Sequence, residues 1–145
     1  MEIKPKSNKG SKVISVLLIA FLFALALRIF VVEGFVVRGD SMEPAIHNGE
    51  YIIINKLAYV RNEPKRGDVL VATPRIYPNP VIKRVVGLPG ETITEVKLTK
   101  GEYFLMGDNR DVSVDSREMG PVDRWDIKGK VVLIINLQSL KYRGL

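Results

Sequence analysis

The residues able to do chemistry fall in three short stretches. The first is Gly39-Asp40-Ser41-Met42-Glu43-Pro44 and the second is Val81-Ile82-Lys83-Arg84-Val85-Val86. The third is Gly107-Asp108-Asn109-Arg110-Asp111-Val112-Ser113-Val114-Asp115-Ser116-Arg117. The chain has no cysteine and a single histidine, His47. That excludes a thiolate nucleophile, a disulfide framework, a cysteine-ligated zinc site and the usual multi-histidine metal site. His47 reads as a loop residue. Nucleophilic chemistry must therefore find its base elsewhere. A desolvated lysine is the remaining good candidate, because burial disfavours the ammonium and lowers its pKa, whereas arginine keeps its proton.

Ser41 lies in a turn-forming hexapeptide directly after the strand-like Phe35-Val36-Val37. A hydroxyl there is open to substrate yet held by a rigid frame. Lys83 falls on one face of its stretch with Val81 and Val85, and Arg84 on the other with Ile82 and Val86, by the two-residue period of a strand. Both charges thus sit among apolar neighbours. A neutral lysine beside a serine is a general base, completed by a third, orienting group. Taken alone, each residue has a plainer use: Ser41 as a turn or N-cap serine, Lys83 as a strand-edge lysine that discourages aggregation.

The elements that must position these residues divide into an apolar segment and a body. Residues 13–32 form an apolar run interrupted by Ser15 and Arg28, about 30 Å long as a helix and matched to a hydrocarbon core. Lys4, Lys6, Lys9 and Lys12 against Glu2 put half of the net charge of +6 into residues 1–12. By the positive-inside rule, that tail is cytoplasmic and the body lies on the outer face. Arg28, costly at a bilayer centre, is near the far end, where it can reach the headgroups. A cleavable signal peptide is the alternative, with Ala24-Leu25-Ala26 as its processing site. Leu27, Ile29, Phe30, Val31 and Val32 carry the apolar run past that site, favouring an uncleaved anchor.

From Glu33 onward, short β-branched runs alternate with Gly, Pro, Asn and Asp, and no segment keeps a helical period for three turns. The expected strands are 34–38, 50–55, 68–72, 81–86, 92–98, 103–106 and 130–136. Pro74, Pro78 and Pro80 make an extended loop before the Lys83 strand. The fold class is mostly β: one N-terminal transmembrane helix (13–32), then a compact antiparallel β domain (33–145). The excess charge of the body lacks an arginine-rich stripe with interleaved aromatics, so nucleic acid is not an expected partner.

Together the stretches resemble bacterial type I signal peptidase (leader peptidase). Ser41-Met42-x-Pro44 is similar to its nucleophile motif and Lys83-Arg84-Val85-Val86-Gly87-Leu88-Pro89-Gly90 to its general-base motif. Lys65-Arg66-Gly67-Asp68-Val69 is similar to the motif between them, and Gly107–Arg117 followed by Gly120-Pro121-Val122 to its last signature. The resemblance implies a Ser-Lys serine endopeptidase without cofactor or metal that removes signal peptides from exported preproteins after Ala-x-Ala sites. Ser41 would attack the scissile carbonyl, Lys83 would take and later return its proton, and Ser113 would aim the lysine. Asp115 with Arg117, and Asp108 with Arg84, would hold the last loop, while Met42 and Pro44 shape the turn. The Ser41 backbone N–H would serve the oxyanion hole. Gly39 stands where some members have a hydroxyl donor, leaving the second donor open. The sixteen residues between Gly90 and Gly107 imply the minimal form, without the large second β domain. Preproteins and the lipid bilayer are the implied partners, with room for proximity to the secretion translocon.

Three other readings have their own marks. A calcium loop would use Asp111-x-Ser113-x-Asp115, but the glycine expected next is missing and Arg117 follows two places on. A self-cleaving Ser-Lys protein of the SOS-repressor kind would need an upstream DNA-binding helix-turn-helix and a cleavable linker. An inactive signal-peptide-binding homologue would be expected to have lost Ser41, Lys83 or Ser113. Trp125 reads either as a membrane-interface residue or as a buried one.

Overall fold

The computed structural model describes residues 9–77 and 79–145. Most of the basic tail, including Lys4 and Lys6, lies outside the described residues, as does Pro78. Helix α1 (Lys9–Phe30) begins four residues before the apolar run and stops short of its end. Val31 and Val32 are β-branched and favour extended backbone. Val31 O accepts from the Lys56 N–H at 2.9 Å, which draws the chain into the sheet at once. The apolar side chains of α1 are exposed on all sides. Over Lys12–Phe30 the helix is long and apolar enough to cross a membrane.

Ten strands follow: β1 (Val32–Val36), β2 (Tyr51–Asn55), β3 (Val69–Ala72), β4 (Val81–Gly87), β5 (Thr92–Ile93), β6 (Val96–Lys97), β7 (Glu102–Met106), β8 (Val122–Asp123), β9 (Ile127–Asn136) and β10 (Lys141–Gly144). A short helix, α2 (Ser116–Met119), and a 3-10 turn (Arg124–Asp126) lie between β7 and β9. The main sheet is antiparallel in the order β1-β2-β9-β3-β4-β7-β8, and β10 adds to β9. Bulges between Ile53 and Ile54, between Val71 and Ala72, and between Val85 and Gly87 curl it, as an extra residue on one side of a ladder bends a strand.

The sheet separates two cores. Val69 and Val71 of β3 enter a cluster with Met42, Ile46, Ile52, Ile54 and Ile134. Leu70 and Ala72, on the opposite face, enter a second with Val85, Tyr103, Leu105 and Val122. β3 is therefore buried on both faces, which explains its unbroken apolar sequence.

Four expectations need correction. The strand expected over 92–98 is instead the β5–β6 hairpin, a separate sheet that turns at Thr94 and Glu95 with positive φ at both. Such turns ordinarily use Asn or Gly, so no turn signal was present to divide the run. β1 starts at Val32 and ends at Val36, against 34–38. β9 begins at Ile127, three residues earlier than expected, because Ala72 of β3 pairs with it there. β10 was unanticipated, since its Lys141-Tyr142-Arg143-Gly144 is exposed and has no apolar alternation.

Candidate active site

β4 carries Lys83 into the protein because its alternation buries Lys83, Val85 and Gly87. Lys83 is 4% exposed. Its Nζ donates to Ser41 Oγ at 2.9 Å, and among the described residues it forms no ion pair. A buried ammonium without a counter-ion is costly. Burial accordingly pushes the Lys83 pKa below the ordinary lysine value; the charge of Asp115 opposes the shift and that of Arg117 adds to it.

Ser41 is set by the turn after β1. Glu43 N–H donates to Asp40 O at 3.1 Å and Ile46 N–H to Met42 O at 2.9 Å, while the Met42 and Ile46 side chains anchor the turn in the core. Pro44 is exposed on the outside of this turn, after a cis Glu43–Pro44 bond. The third stretch closes over the serine through Asn109 N–H, which donates to Ser41 O at 3.0 Å. The Ser41 backbone N–H donates to nothing among the described residues. The Gly39 N–H is already engaged, donating to Asn48 Oδ1 at 3.2 Å. Gly39 therefore offers neither a side-chain donor nor a free N–H.

Two ion pairs hold the third stretch. Arg84 donates from Nε and Nη2 to the two oxygens of Asp108 at 2.8 and 2.6 Å, and from Nη1 to Gly67 O at 2.8 Å. Asp115 is fully buried. It accepts from Arg117 Nε at 2.9 Å and from Gly107 N–H at 3.0 Å. Burial raises its pKa, but these charged and backbone donors outweigh burial and hold it at about 2. Asp115 therefore faces Arg117 and the backbone, and Asp111 is exposed, so the alternating oxygens do not converge as a calcium cage. Among the described residues no three His, Asp or Glu side chains gather into a metal-binding group.

Ser113 is buried, and its Oγ has no hydrogen-bond partner of proper geometry. It lies near enough to Asp115 to help lower that carboxyl, but no hydrogen bond joins it to Lys83. The lysine-aiming contact implied by the resemblance is thus not made here: Lys83 points to Ser41, and Ser113 packs against Gly107. A Cβ on Gly107 would fall 2.2 Å from Ser113 Oγ and 2.5 Å from Ser41 O. Only a bare backbone permits the first and third stretches to meet this closely.

Two supports have no counterpart in the sequence reading. Ser116 Oγ, buried, accepts from Leu105 N–H at 2.9 Å and ties α2 to β7. Glu50, 3% exposed, receives both Arg143 amino groups at 2.8 Å and His47 N–H at 2.9 Å. Arg143 also donates to Ala45 O at 2.9 Å. The end of the chain thereby clasps the bend that follows Ser41. The only sequence signal was an acidic residue heading an apolar strand, and its partner lies 93 positions away.

Ser41 and Lys83 open onto a cavity of about 550 Å³ with Phe35, Val36, Ile82 and Val114 among its apolar walls. β1 is the edge strand of the sheet, so one side of this cavity has a free strand edge. Trp125 is 86% exposed, which removes the buried alternative for it.

A family model described as signal peptidase, peptidase S26, matches residues 11–97 and 93–136. Signal peptidase I P of Bacillus subtilis subsp. natto is 29% identical over 171 residues, covering 90% of this chain and 92% of its own. Signal peptidase I T of Bacillus subtilis (strain 168) is 32% identical over 151 residues, covering 79% of this chain and 78% of its own. A crystal structure of a signal peptidase I from Enterococcus faecalis covers 48% of this chain and 97% of its own, at 24% identity. Its TM-score of 0.43 is too low for that likeness to carry weight.

Proposed function

The chain belongs to the signal peptidase family S26, and from that premise we propose that this serine peptidase cleaves signal-peptide-bearing preproteins with Ser41 as nucleophile and Lys83 as general base. The observation that carries the assignment is the 2.9 Å contact between Lys83 Nζ and Ser41 Oγ around a buried lysine without a counter-ion. Neutral Lys83 takes the Ser41 hydroxyl proton as Oγ attacks the scissile carbonyl. The tetrahedral oxyanion is met by the free Ser41 N–H. On collapse the C–N bond breaks, Lys83 returns the proton to the leaving amine, and the acyl group remains as an ester on Ser41. A water, deprotonated by the same lysine, then hydrolyses the ester, and the proton goes back to Oγ. By the resemblance Ser113, a buried hydroxyl without a hydrogen-bond partner here, is the third member that aims Lys83 once the lysine is charged.

The substrate lies extended beside the free edge of β1, which points its alternate side chains into the wall. Phe35, Val36 and Ile82 narrow that wall, favouring alanine at the first and third positions before the bond. Helix α1 is a single-pass anchor, with the lysine-rich tail in the cytoplasm and the β domain on the outer face. Exposed Trp125 suits the membrane interface.

The test is cleavage of paired signal-peptide substrates by the detergent-solubilised full chain. Ala-x-Ala substrates should be cut and Leu-x-Leu substrates rejected. Ser41→Ala and Lys83→Ala should each abolish cutting, with the double variant hardly worse than either single. Equal turnover of the two substrates, or substantial cleavage by folded Lys83→Ala, would overturn the assignment.

A further inference from the structure

A second cavity, of about 660 Å³, opens where the last turns of α1 meet β1 and β2. Leu25, Ile29 and Ile53 give it apolar walls, and Arg28, Tyr51, Lys56 and Glu33 bring polar groups to it. Two of these four are committed: Lys56 Nζ donates to Ile29 O at 2.8 Å and lies 3.5 Å from Glu33. The other two have no partner among the described residues, neither the Arg28 guanidinium nor the Tyr51 hydroxyl. The Tyr51 hydroxyl reaches over β1 only because Gly34 is bare, since a Cβ there would fall 1.9 Å from it.

A guanidinium fork and a phenolic O–H without acceptors call for a ligand bearing anionic oxygens. The apolar wall beside them calls for a hydrocarbon portion on the same ligand. Both demands occur at the body-facing end of a helix long enough to span a bilayer, at the depth of the headgroups. Arg28 and Lys56 against Glu33 leave one positive charge, which a singly anionic headgroup neutralises and a zwitterionic one does not. We propose that this cavity seats the phosphate of an anionic glycerophospholipid from the leaflet adjoining the β domain. Arg28 and Tyr51 hold its oxygens, and an acyl chain lies along Leu25 and Ile29. The proposal rests on reading Lys12–Phe30 as a membrane anchor.

The full chain is reconstituted in nanodiscs of phosphatidylcholine with a minority of phosphatidylglycerol, then extracted in mild detergent. Phosphatidylglycerol retained per chain is read by native mass spectrometry, and apparent affinity by titrating that lipid. Wild type should retain one phosphatidylglycerol. Arg28→Gln should weaken retention about tenfold, the scale of one charge-assisted forked contact. Tyr51→Phe, with no change of charge, should weaken it about fivefold. Arg61→Gln, which removes an exposed cation outside the cavity, should leave it unchanged. Equal losses in Arg28→Gln and Arg61→Gln with none in Tyr51→Phe would reduce the effect to general surface charge and overturn the site. Displacement of the lipid by inorganic phosphate at comparable concentration would overturn its assignment to lipid. A chain that inserts but retains no phosphatidylglycerol refutes the cavity alone, whereas a chain that fails to insert refutes the anchor and the cavity with it.

Discussion

Replacing Arg143 with methionine should loosen the bend behind the nucleophile by stranding a buried carboxylate. Methionine keeps the apolar stem and removes the guanidinium, so the change isolates the pair with Glu50 and the contact with Ala45 O. Removing one partner of a fully buried ion pair costs about 3–5 kcal/mol. Here Glu50 is 3% exposed, but the Arg143 side chain is 43% exposed, so water already screens one end. A loss of about 2 kcal/mol is the expected scale. For a body of this size it corresponds to a fall of about 8 °C in Tm. The sign with pH follows from Glu50, whose carboxyl Arg143 holds below the ordinary range against the opposing effect of burial. The pair's stabilisation is therefore full above the unfolded carboxyl pKa of about 4.3 and is lost as pH falls through the lower folded value. In Arg143→Met burial is opposed only by the His47 contact, so that carboxyl is raised above its wild-type value. The Tm gap should thus be widest at pH 7, narrow as pH falls through the raised value, and below the wild-type one shrink to the part left by the lost Arg143–Ala45 contact. Thermal unfolding of the full chain in detergent across this range reads the gap. Because the bend leads back to Ser41, kcat should fall about tenfold with little change in KM, the penalty of a displaced nucleophile. A Tm within experimental scatter of wild type at pH 7, or a gap that ignores pH, would refute the reasoning.

Gly107→Ala should leave the β domain folded but lower kcat/KM about a hundredfold, since its Cβ would have to displace Ser113 Oγ and Ser41 O, and shifts near 1 Å at a nucleophile cost that much; wild-type turnover would refute the close approach. Protease added to intact protoplasts should degrade the β domain and spare the lysine-rich tail. A mature chain that begins at Leu27 and is released in soluble form would instead make the apolar segment a signal peptide.

The placement of Lys83 was legible because local pattern and burial agree there. Lys83 alternates with valines, so a strand at that position buries it, as β4 does. The antiparallel body was legible from its β-branched runs and turn residues, and β3 reads as a near-continuous apolar run because two cores meet on it. What escaped was non-local or carried by atypical residues. The β5–β6 turn uses Thr94 and Glu95 in a conformation that neither residue advertises. β10 has no apolar face, and its role comes from one arginine that meets a carboxylate 93 positions earlier in the chain. Ser113 was expected to aim Lys83, but its buried hydroxyl has no partner, a matter of side-chain direction that spacing does not encode.

The central claim is that a neutral Lys83 activates Ser41, and the pH profile of kcat/KM for a signal-peptide substrate tests it most directly. Burial lowers the Lys83 pKa, so activity should rise with pH through one ionisation below the ordinary lysine value of about 10.4. Lys83→Met, folded and with the Ser41 turn intact, should show only a flat background. A wild-type profile without that ionisation, or the same rising limb retained in Lys83→Met, would contradict the account.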